Sequence, residues 1–328
     1  MTPYEHEPRA TSTGVEDGPR SRARATSTII GLLRRIYSYG KLVRFSHTVF
    51  ALPFALASVA LAWPGHAVSL RTLLWVVIAM VGARTAAMGF NRLADRQLDA
   101  LNPRTLGWEL PQGRVKVWEA ALLTAFCSLL FVYAAYQLNY LCLFLSPLAL
   151  AILFFYSLTK RFTWTSHLFL GLSLSLAPVG AWLAVTGMPD GVNDLATPFF
   201  LGLAVLFWLA GFDVLYSLQD LDFDRRHGLH SIPVRFGVAP ALRLSSLCHI
   251  LTVTFLALVG FYAGLGTIYW LGLAVVALIL FGEHRLVKPD DLSRINRAFF
   301  DFNAYVSVGY LLAILGDLFI TLQLGDGR

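Results

Sequence analysis

Two short acidic stretches end two long apolar runs of the sequence. Polar residues recur in them every three or four positions: Asn91, Asp95 and Asp99 in the first stretch, and Asp213, Tyr216, Asp220 and Asp224 in the second. Because an α-helix completes a turn in 3.6 residues, this spacing places each set on one helical face. Asp222 falls off the second face, and we expect its side chain to be solvated.

Carboxylates gathered beside a hydrocarbon slab repel one another and are costly to desolvate unless a cation or a proton neutralises them. Both stretches offer oxygen ligands without a Cys or His set, which favours Mg²⁺ or Ca²⁺ over zinc. Mg²⁺ bound by few carboxylates usually completes its shell with phosphate oxygens. The pattern therefore indicates a metal-dependent site for a diphosphate substrate. The simpler alternative, two solvated helix ends, leaves the matched spacing unexplained.

The elements that position these acids are predicted to span a membrane. Of the 328 residues, 56% are apolar and only 14% are charged, which is unlike an ordinary soluble domain. Nine apolar runs approach the length that crosses a bilayer, at 46–63, 72–90, 117–136, 139–158, 167–187, 197–216, 241–262, 267–283 and 303–323. The sequence thus predicts an all-α, polytopic membrane protein with nine transmembrane helices.

Basic residues are concentrated on one side of these spans. Of the 26 Lys and Arg residues, 23 fall in the N-terminal tail and in the connections that follow every second span. By the positive-inside rule, we expect the N-terminus and both acidic stretches on the cytoplasmic side of the inner (plasma) membrane, and the C-terminus outside. The net charge of +6 then reflects topology and contact with anionic lipid, not a nucleic-acid partner.

The N-terminal region differs from the rest of the chain. Residues 1–26 are polar and lack an apolar signal segment, so they are predicted to be a disordered cytosolic tail ahead of a transmembrane domain over 27–328. Residues 27–43 have the pattern of an interfacial amphipathic helix. The three cysteines lie singly in apolar spans, which is typical of small core residues: Cys127, Cys142 and Cys248.

The two acidic stretches are related by a constant offset. Asn91 and Asp220 are 129 residues apart, and so are Asp95 and Asp224. Four predicted spans fit inside that offset, so the two acidic helices would run parallel and face one cavity, as in a bundle of two similar halves. A long polar loop follows each stretch, at 102–114 and 225–237. These cytoplasmic loops could cap the cavity and exclude water.

These features together resemble the UbiA-type intramembrane aromatic prenyltransferases, over about residues 40–323. The resemblance rests on Asn91-x3-Asp95-x3-Asp99, Asp213-x2-Tyr216-x3-Asp220-x3-Asp224, Tyr156-x3-Lys160-Arg161, and an opening segment from Arg44 to Phe54. It implies a UbiA-like helical bundle that transfers a polyprenyl chain from its diphosphate onto an aromatic ring, as 4-hydroxybenzoate polyprenyltransferases do. It also implies that Mg²⁺ is held between the two acidic motifs.

The resemblance assigns roles to residues around the metal and the diphosphate. It implies metal contacts from four residues, Asn91, Asp95, Asp220 and Asp224, and a less direct one from Asp99. Lys160 and Arg104 resemble diphosphate-binding positions. Arg84, seven residues before Asn91, would either contact the diphosphate or form a structural ion pair with Asp213.

Further residues would serve the organic part of the reaction. Tyr156 and Tyr216 could stabilise the allylic cation through their π faces, although tyrosine is also common at bilayer boundaries. Asp213 could accept or orient the proton of a phenol. Arg44 would meet the carboxylate of the aromatic acid, or act only as a positive-inside anchor. His47 could bond to the acceptor or to a neighbouring helix.

One departure from the family pattern leaves the acceptor open. Many 4-hydroxybenzoate enzymes carry Asn-Asp at the first motif, whereas this chain has Asn91-Arg92. That form looks like a subgroup in which some members prenylate a dihydroxynaphthoate in menaquinone biosynthesis. The identity of the acceptor is therefore open, with a 4-hydroxybenzoate-like acid of ubiquinone biosynthesis as the first candidate and such a naphthoate as the alternative. The length of the prenyl donor is equally open.

A membrane transporter with intramembrane acids is the alternative from another class, but its acids would lie near the midplane beside broken helices. CDP-alcohol phosphotransferases also use membrane aspartates and a divalent metal. Their Asp-Gly-x2-Ala-Arg signature is absent from both acidic stretches.

Overall fold

The fold is all-α, as the sequence predicts. In a computed structural model, the structure describes residues 35, 37–43, 48–188, 191–288, 292, 295 and 301–325, and no β-strand occurs among them. The predicted tail 1–26 lies outside these residues. Of the predicted interfacial helix, only residue 35 and residues 37–43 are described, and residues 37–42 are helical.

Besides the helical residues 37–42, the described residues form twelve α-helices, which we number in chain order. Their bounds are α1 Thr48–Ala62, α2 Leu70–Ala94, α3 Arg96–Leu101, α4 Val117–Leu138, α5 Tyr140–Thr159, α6 Ser166–Thr186, α7 Val192–Ser217, α8 Leu221–Arg226, α9 Ile232–Phe236, α10 Val238–Tyr262, α11 Thr267–Leu286 and α12 Asn303–Gly325. A 3₁₀ turn, Leu218–Asp220, joins α7 to α8. We call residues 102–116 the first cap loop and residues 227–237, which include α9, the second cap loop.

Eight helical segments are long and apolar enough to cross a membrane: α2, α4, α5, α6, α10, α11, α12 and the stretch Asp194–Arg226 that runs from α7 through α8. The remaining predicted span, 46–63, corresponds to α1. This helix is apolar but has 15 residues, with Pro53 inside it. At 1.5 Å per residue it extends about 22 Å, less than the roughly 30 Å hydrocarbon core. The nine predicted spans thus match nine apolar helices of the described chain in order.

The helices pack against one another as a bundle. Helix α7 lies between α6 and α10, α1 packs on α6 and α12, and α2 packs on α4 and α5. Between α1, α7 and α12, the Phe54 ring lies 4.9 Å from the Trp208 ring and 5.3 Å from the Tyr310 ring, centroid to centroid. At the α6–α7 crossing, a Cβ on Gly171 would overlap the backbone carbonyl of Leu206. Glycine is therefore required for the closeness of these two helices, which both contribute to the site.

Candidate active site

Both acidic stretches face one polar cavity of about 270 Å³. Eleven of the twelve predicted site residues line it: Arg84, Asn91, Asp95, Asp99, Arg104, Tyr156, Lys160, Asp213, Tyr216, Asp220 and Asp224. The twelfth, Arg44, lies outside the described residues together with His47. The sequence offset between the two motifs therefore corresponds to a real juxtaposition in space.

The helices break within both motifs, yet the predicted faces are retained. Helix α2 ends just before Asp95 and α3 begins just after it. The backbone N–H of Asp95 donates to the Asn91 carbonyl at 2.9 Å, and that of Asp99 donates to the Asp95 carbonyl at 2.8 Å, so the four-residue spacing continues through the break. In the second motif, Asp220 and Asp224 are buried while Asp222 is exposed, as predicted.

Each carboxylate of the cavity is paired with a basic side chain. The pairs are Arg161–Asp95 at 3.1 Å, Arg92–Asp99 at 3.0 Å, Arg104–Asp220 at 2.6 Å, Lys160–Asp224 at 3.2 Å and His167–Asp213 at 2.6 Å. Every one of these pairs except Arg92–Asp99 joins residues more than 40 positions apart. Four of the five acids thus have an Arg or Lys partner, and Asp213 is hydrogen-bonded to the ring of His167.

Burial and pairing shift the ionisation of the groups at the cavity mouth. Burial raises the pKa of Asp95, although the hydrogen bond from Arg161 opposes the change. For Lys160, burial favours the neutral amine, but the charges of Asp224, Asp220 and Asp213 outweigh it and raise the pKa. Burial likewise opposes the charge of Arg104, and the hydrogen bonds to Asp220 raise its pKa overall. Lys160 and Arg104 are therefore fixed positive charges at neutral pH.

The donor chemistry of the cavity fits a magnesium ion that shares its ligands with a phosphate group. Within the described part of the chain, no three Asp, Glu, His or Cys side chains lie close enough to hold an ion by themselves. Mg²⁺ in phosphate sites typically needs only one or two carboxylates, because waters and phosphate oxygens complete its octahedron. The cavity offers carboxylate oxygens from both motifs and the amide oxygen of Asn91, whose amide nitrogen donates to Asp95 Oδ2 at 3.2 Å.

An apolar cavity of about 260 Å³ adjoins the polar one. Five residues line both cavities: Arg84, Met88, Tyr156, Leu170 and Leu174. The apolar cavity lies between α2, α4, α5 and α6 and is lined in part by Leu148, whose side chain is 58% exposed. A charged chamber thus adjoins an apolar cavity, which we call the apolar channel.

Comparison with known proteins identifies this architecture. The model of the UbiA prenyltransferase family matches residues 51–306. The chain belongs to the UbiA prenyltransferase family. Among its relatives is the 4-hydroxybenzoate octaprenyltransferase of Nitrosospira multiformis, 31% identical over 275 residues, which cover 83% of this chain and 92% of the relative. The enzyme of the same name from Marinobacter nauticus is 28% identical over 294 residues, covering 87% and 95%.

Solved structures of other UbiA homologues have a similar fold. The apo structure of a UbiA homologue from Aeropyrum pernix superposes with a TM-score of 0.76 at 34% identity, covering 83% of this chain and 98% of that one. A UbiA homologue from Archaeoglobus fulgidus, described as bound to DMAPP and Mg²⁺, gives 0.59 at 20% identity, covering 85% and 99%, and supports the fold alone. The chain is thus an integral membrane enzyme, a prenyltransferase similar to 4-hydroxybenzoate polyprenyltransferases.

In this UbiA protein, several residues contact the site although the sequence motifs did not assign them a role. Arg92 donates to Asp99 at 3.0 Å and to the Asn91 amide oxygen at 2.6 Å, and its guanidinium lies 4.1 Å from the Trp108 ring centre. Asn102 donates to Asp220 at 3.0 Å. The seven-residue spacing of Arg92 and Asp99 could have indicated their pairing, because seven residues make two helical turns.

The partner of Asp213 differs from the one considered from the sequence. His167, not Arg84, hydrogen-bonds to its carboxylate, so a structural Arg84–Asp213 ion pair is not formed. Among the described residues Arg84 has no ion-pair partner, and its Nε is buried without a hydrogen bond. Arg84 lies instead on the wall shared by both cavities.

Proposed function

We propose that this UbiA-family enzyme catalyses Mg²⁺-dependent transfer of a polyprenyl group from its diphosphate onto a 4-hydroxybenzoate-like aromatic acid in ubiquinone biosynthesis. The observation that carries the proposal is the continuity between the acid-lined chamber and the apolar channel. A prenyl diphosphate has the same division into a charged head and an apolar tail. The names of the curated relatives support the reaction, and the Mg²⁺- and DMAPP-bound neighbour supports the type of ligand.

The charged chamber would bind the diphosphate and its metal. Metal contacts are proposed for Asn91, Asp95, Asp220 and Asp224, with a less direct contact from Asp99, which pairs with Arg92. When bound, Mg²⁺ would neutralise negative charge that develops on the leaving diphosphate. Lys160, Arg104 and Arg84 supply further positive charge. Each of the first two already contacts a proposed metal ligand, so the diphosphate would lie within their reach.

The transfer itself exchanges one bond for another. Asp213 takes the hydroxyl proton of the acceptor, the ring carbon beside that hydroxyl bonds to the first prenyl carbon, and the bond from this carbon to the diphosphate oxygen breaks. The ring proton then leaves with the diphosphate, and Asp213 returns its proton to the ring oxygen. Tyr156 and Tyr216, which line the chamber, would stabilise the allylic cation through their π faces.

The prenyl tail and the acceptor carboxylate would bind outside the charged chamber. The prenyl tail would occupy the apolar channel and leave laterally beside Leu148. The acceptor carboxylate is expected near Arg44, at the start of the first span. The charge distribution of the loops favours an active site and an N-terminal tail (residues 1–26) on the cytoplasmic side of the plasma membrane.

The first acidic motif supports a dihydroxynaphthoate as a second candidate acceptor. The Asn91-Arg92 pair resembles a subgroup in which some members prenylate a dihydroxynaphthoate of menaquinone biosynthesis, and Arg92 contacts Asp99 and Trp108 within the site. A transporter is less compatible with this site, because the acids of the cavity lie at helix ends and are paired with basic side chains.

The purified protein in lipid nanodiscs should be incubated with labelled prenyl diphosphates of graded length and, separately, with 4-hydroxybenzoate or a dihydroxynaphthoate. We expect a prenylated acid to form with Mg²⁺ and to disappear with EDTA. The acid that reacts identifies the acceptor. No Mg²⁺-dependent product from any acid or chain length would contradict the proposal.

A further inference from the structure

The imidazole of His167 connects Asp213 to the second cap loop. His167 is the second residue of α6, and its side chain is fully buried. Its Nδ1 lies 2.6 Å from Asp213 Oδ2, and its Nε2 lies 3.3 Å from the backbone nitrogen of Ile232. Asp213 lines the polar cavity with 22% of its side chain exposed, whereas His167 lies behind it.

The contact with Ile232 determines which ring nitrogen carries the proton. A backbone N–H can only donate, so His167 Nε2 must accept and is unprotonated. The proton of the neutral ring is then on Nδ1, which donates to the Asp213 carboxylate. A hydrogen bond to the charged form of a carboxylate favours that form and fixes its orientation.

The loop segment that carries the Ile232 N–H is itself hydrogen-bonded to residues proposed to bind the metal and the diphosphate. In the second cap loop, the backbone N–H of His230 donates to the Lys160 carbonyl at 2.7 Å, and that of Leu229 donates to the Asp224 carbonyl at 2.9 Å. Ile232 begins α9 immediately after these contacts. The segment that sets the His167 tautomer is therefore attached to two residues proposed to bind the metal and the diphosphate.

We infer that His167 is a positioning residue of the transfer reaction, which holds the Asp213 carboxylate aimed at the hydroxyl group of the aromatic acceptor. The inference rests on the proposed function, in which Asp213 takes that hydroxyl proton. His167 touches neither substrate, and it acts through the single hydrogen bond from Nδ1. Loss of that bond should slow the chemical step without weakening donor binding.

Two substitutions separate the two hydrogen bonds of the ring. His167→Asn keeps an amide near the Nδ1 position, toward Asp213, and loses the Ile232 contact. His167→Gln reaches the Nε2 position, toward Ile232, and loses the donor to Asp213. We expect His167→Gln to lower kcat about 10- to 100-fold with unchanged KM for prenyl diphosphate, as for other residues that orient a reacting group. His167→Asn should retain most of kcat and have the lower Tm of the two.

The control is His249→Gln, which removes another buried imidazole, one that contacts the Trp208 carbonyl and His284 away from the cavity. It should lower Tm without the selective loss of kcat. A purely structural role of His167 predicts instead that activity follows Tm across all three variants, and that pattern would overturn the inference, as would wild-type kcat in His167→Gln.

A second readout tests the proton directly. Ring fluorination makes the acceptor hydroxyl more acidic, so the ratio of wild-type to His167→Gln rates should shrink from 4-hydroxybenzoate to its 3-fluoro derivative. An equal ratio for both acids would contradict the role of the Asp213 carboxylate in proton removal. If a dihydroxynaphthoate proves to be the acceptor, that acid and its ring-fluorinated derivative are compared in the same way.

The tautomer can be measured without any variant. In protein labelled with ¹⁵N-histidine, the His167 resonances should show a protonated Nδ1 and an unprotonated Nε2. A proton on Nε2 would overturn the inference even if the variants fail to fold. Failure of the wild-type protein to prenylate any aromatic acid would instead contradict the proposed function, so the two failures are distinguishable.

Discussion

At the residue scale, Asp220 joins the two halves of the site. Its Oδ1 accepts from Asn102 at 3.0 Å and from Arg104 Nε at 2.8 Å, and its Oδ2 accepts from the Arg104 terminal nitrogen at 2.6 Å. Such a two-point pair between guanidinium and carboxylate fixes both geometry and charge. Asp220 therefore has two functions, as a proposed metal ligand and as the attachment point of the first cap loop.

Asp220→Asn should lower Mg²⁺-dependent prenyl transfer by about 100-fold or more, because a preorganised charge at the reacting diphosphate is removed. The control is Asp222→Asn, which removes the same charge two residues away on an exposed side chain. Turnover of both variants is compared with wild type at saturating substrates. Near-normal activity of Asp220→Asn would refute its role at the metal.

Lys160→Met tests the contact to the diphosphate. Its ammonium donates to Asp224 at 3.2 Å, and its raised pKa keeps it charged throughout the assay range. Loss of a charged hydrogen bond of about 1.5–3 kcal/mol corresponds to a roughly 10- to 100-fold higher KM for prenyl diphosphate. Initial rates should show little change in acceptor KM, and the exposed Arg226→Met serves as control. An effect on the acceptor alone would place Lys160 elsewhere in the reaction.

At the element scale, the first cap loop is held over the site by basic side chains. Trp108 lies 4.1 Å from the guanidinium of Arg92 and 5.6 Å from that of Arg104. The Arg92 guanidinium is itself bound to Asp99, so the loop and the first acidic motif are coupled. The loop covers the chamber through side chains that also neutralise its acids.

Trp108→Leu should loosen this loop by about 0.5–2 kcal/mol, the size of a cation–π contact. Hydrogen exchange of the backbone in residues 103–114 should then become several-fold faster. Trp118→Leu, at a side chain that is 61% exposed on α4, should leave exchange unchanged. Equal exchange in the Trp108 variant and wild type would show that other contacts hold the loop.

The α6–α7 crossing is a second element on which the site depends, because α6 carries His167 and α7 carries Asp213. Gly171→Ala should force the helices apart at the Leu206 carbonyl, destabilise the protein by about 1–3 kcal/mol and reduce activity. Gly180→Ala, in the same helix with open space at its Cβ, should keep or raise Tm, because alanine is the better helix former. Equal Tm values for the two variants would contradict the packing argument.

At the scale of the whole molecule, the sequence predicted the architecture and eleven of the residues that line the polar cavity. Hydropathy identifies the spans, because a bilayer requires long apolar helices. The 129-residue offset predicted that the acids converge, because an even number of spans returns the chain to the same side. What the sequence could not supply is which distant residues meet within the bundle. His167 lies 46 residues from Asp213, and Asn102 lies 118 from Asp220, so both partners depend on helix packing.

The convergence of both motifs on one metal–diphosphate site is tested most directly by calorimetric titration with a non-cleavable prenyl thiodiphosphate, with and without Mg²⁺. Wild-type protein should bind it strongly only with Mg²⁺, and Asp95→Asn and Asp220→Asn should each weaken binding by about 10- to 100-fold. The double variant should lose less than the product of the two factors, because both residues serve one site. Unchanged Mg²⁺-dependent affinity in either single variant, or a full product in the double variant, would contradict a shared site.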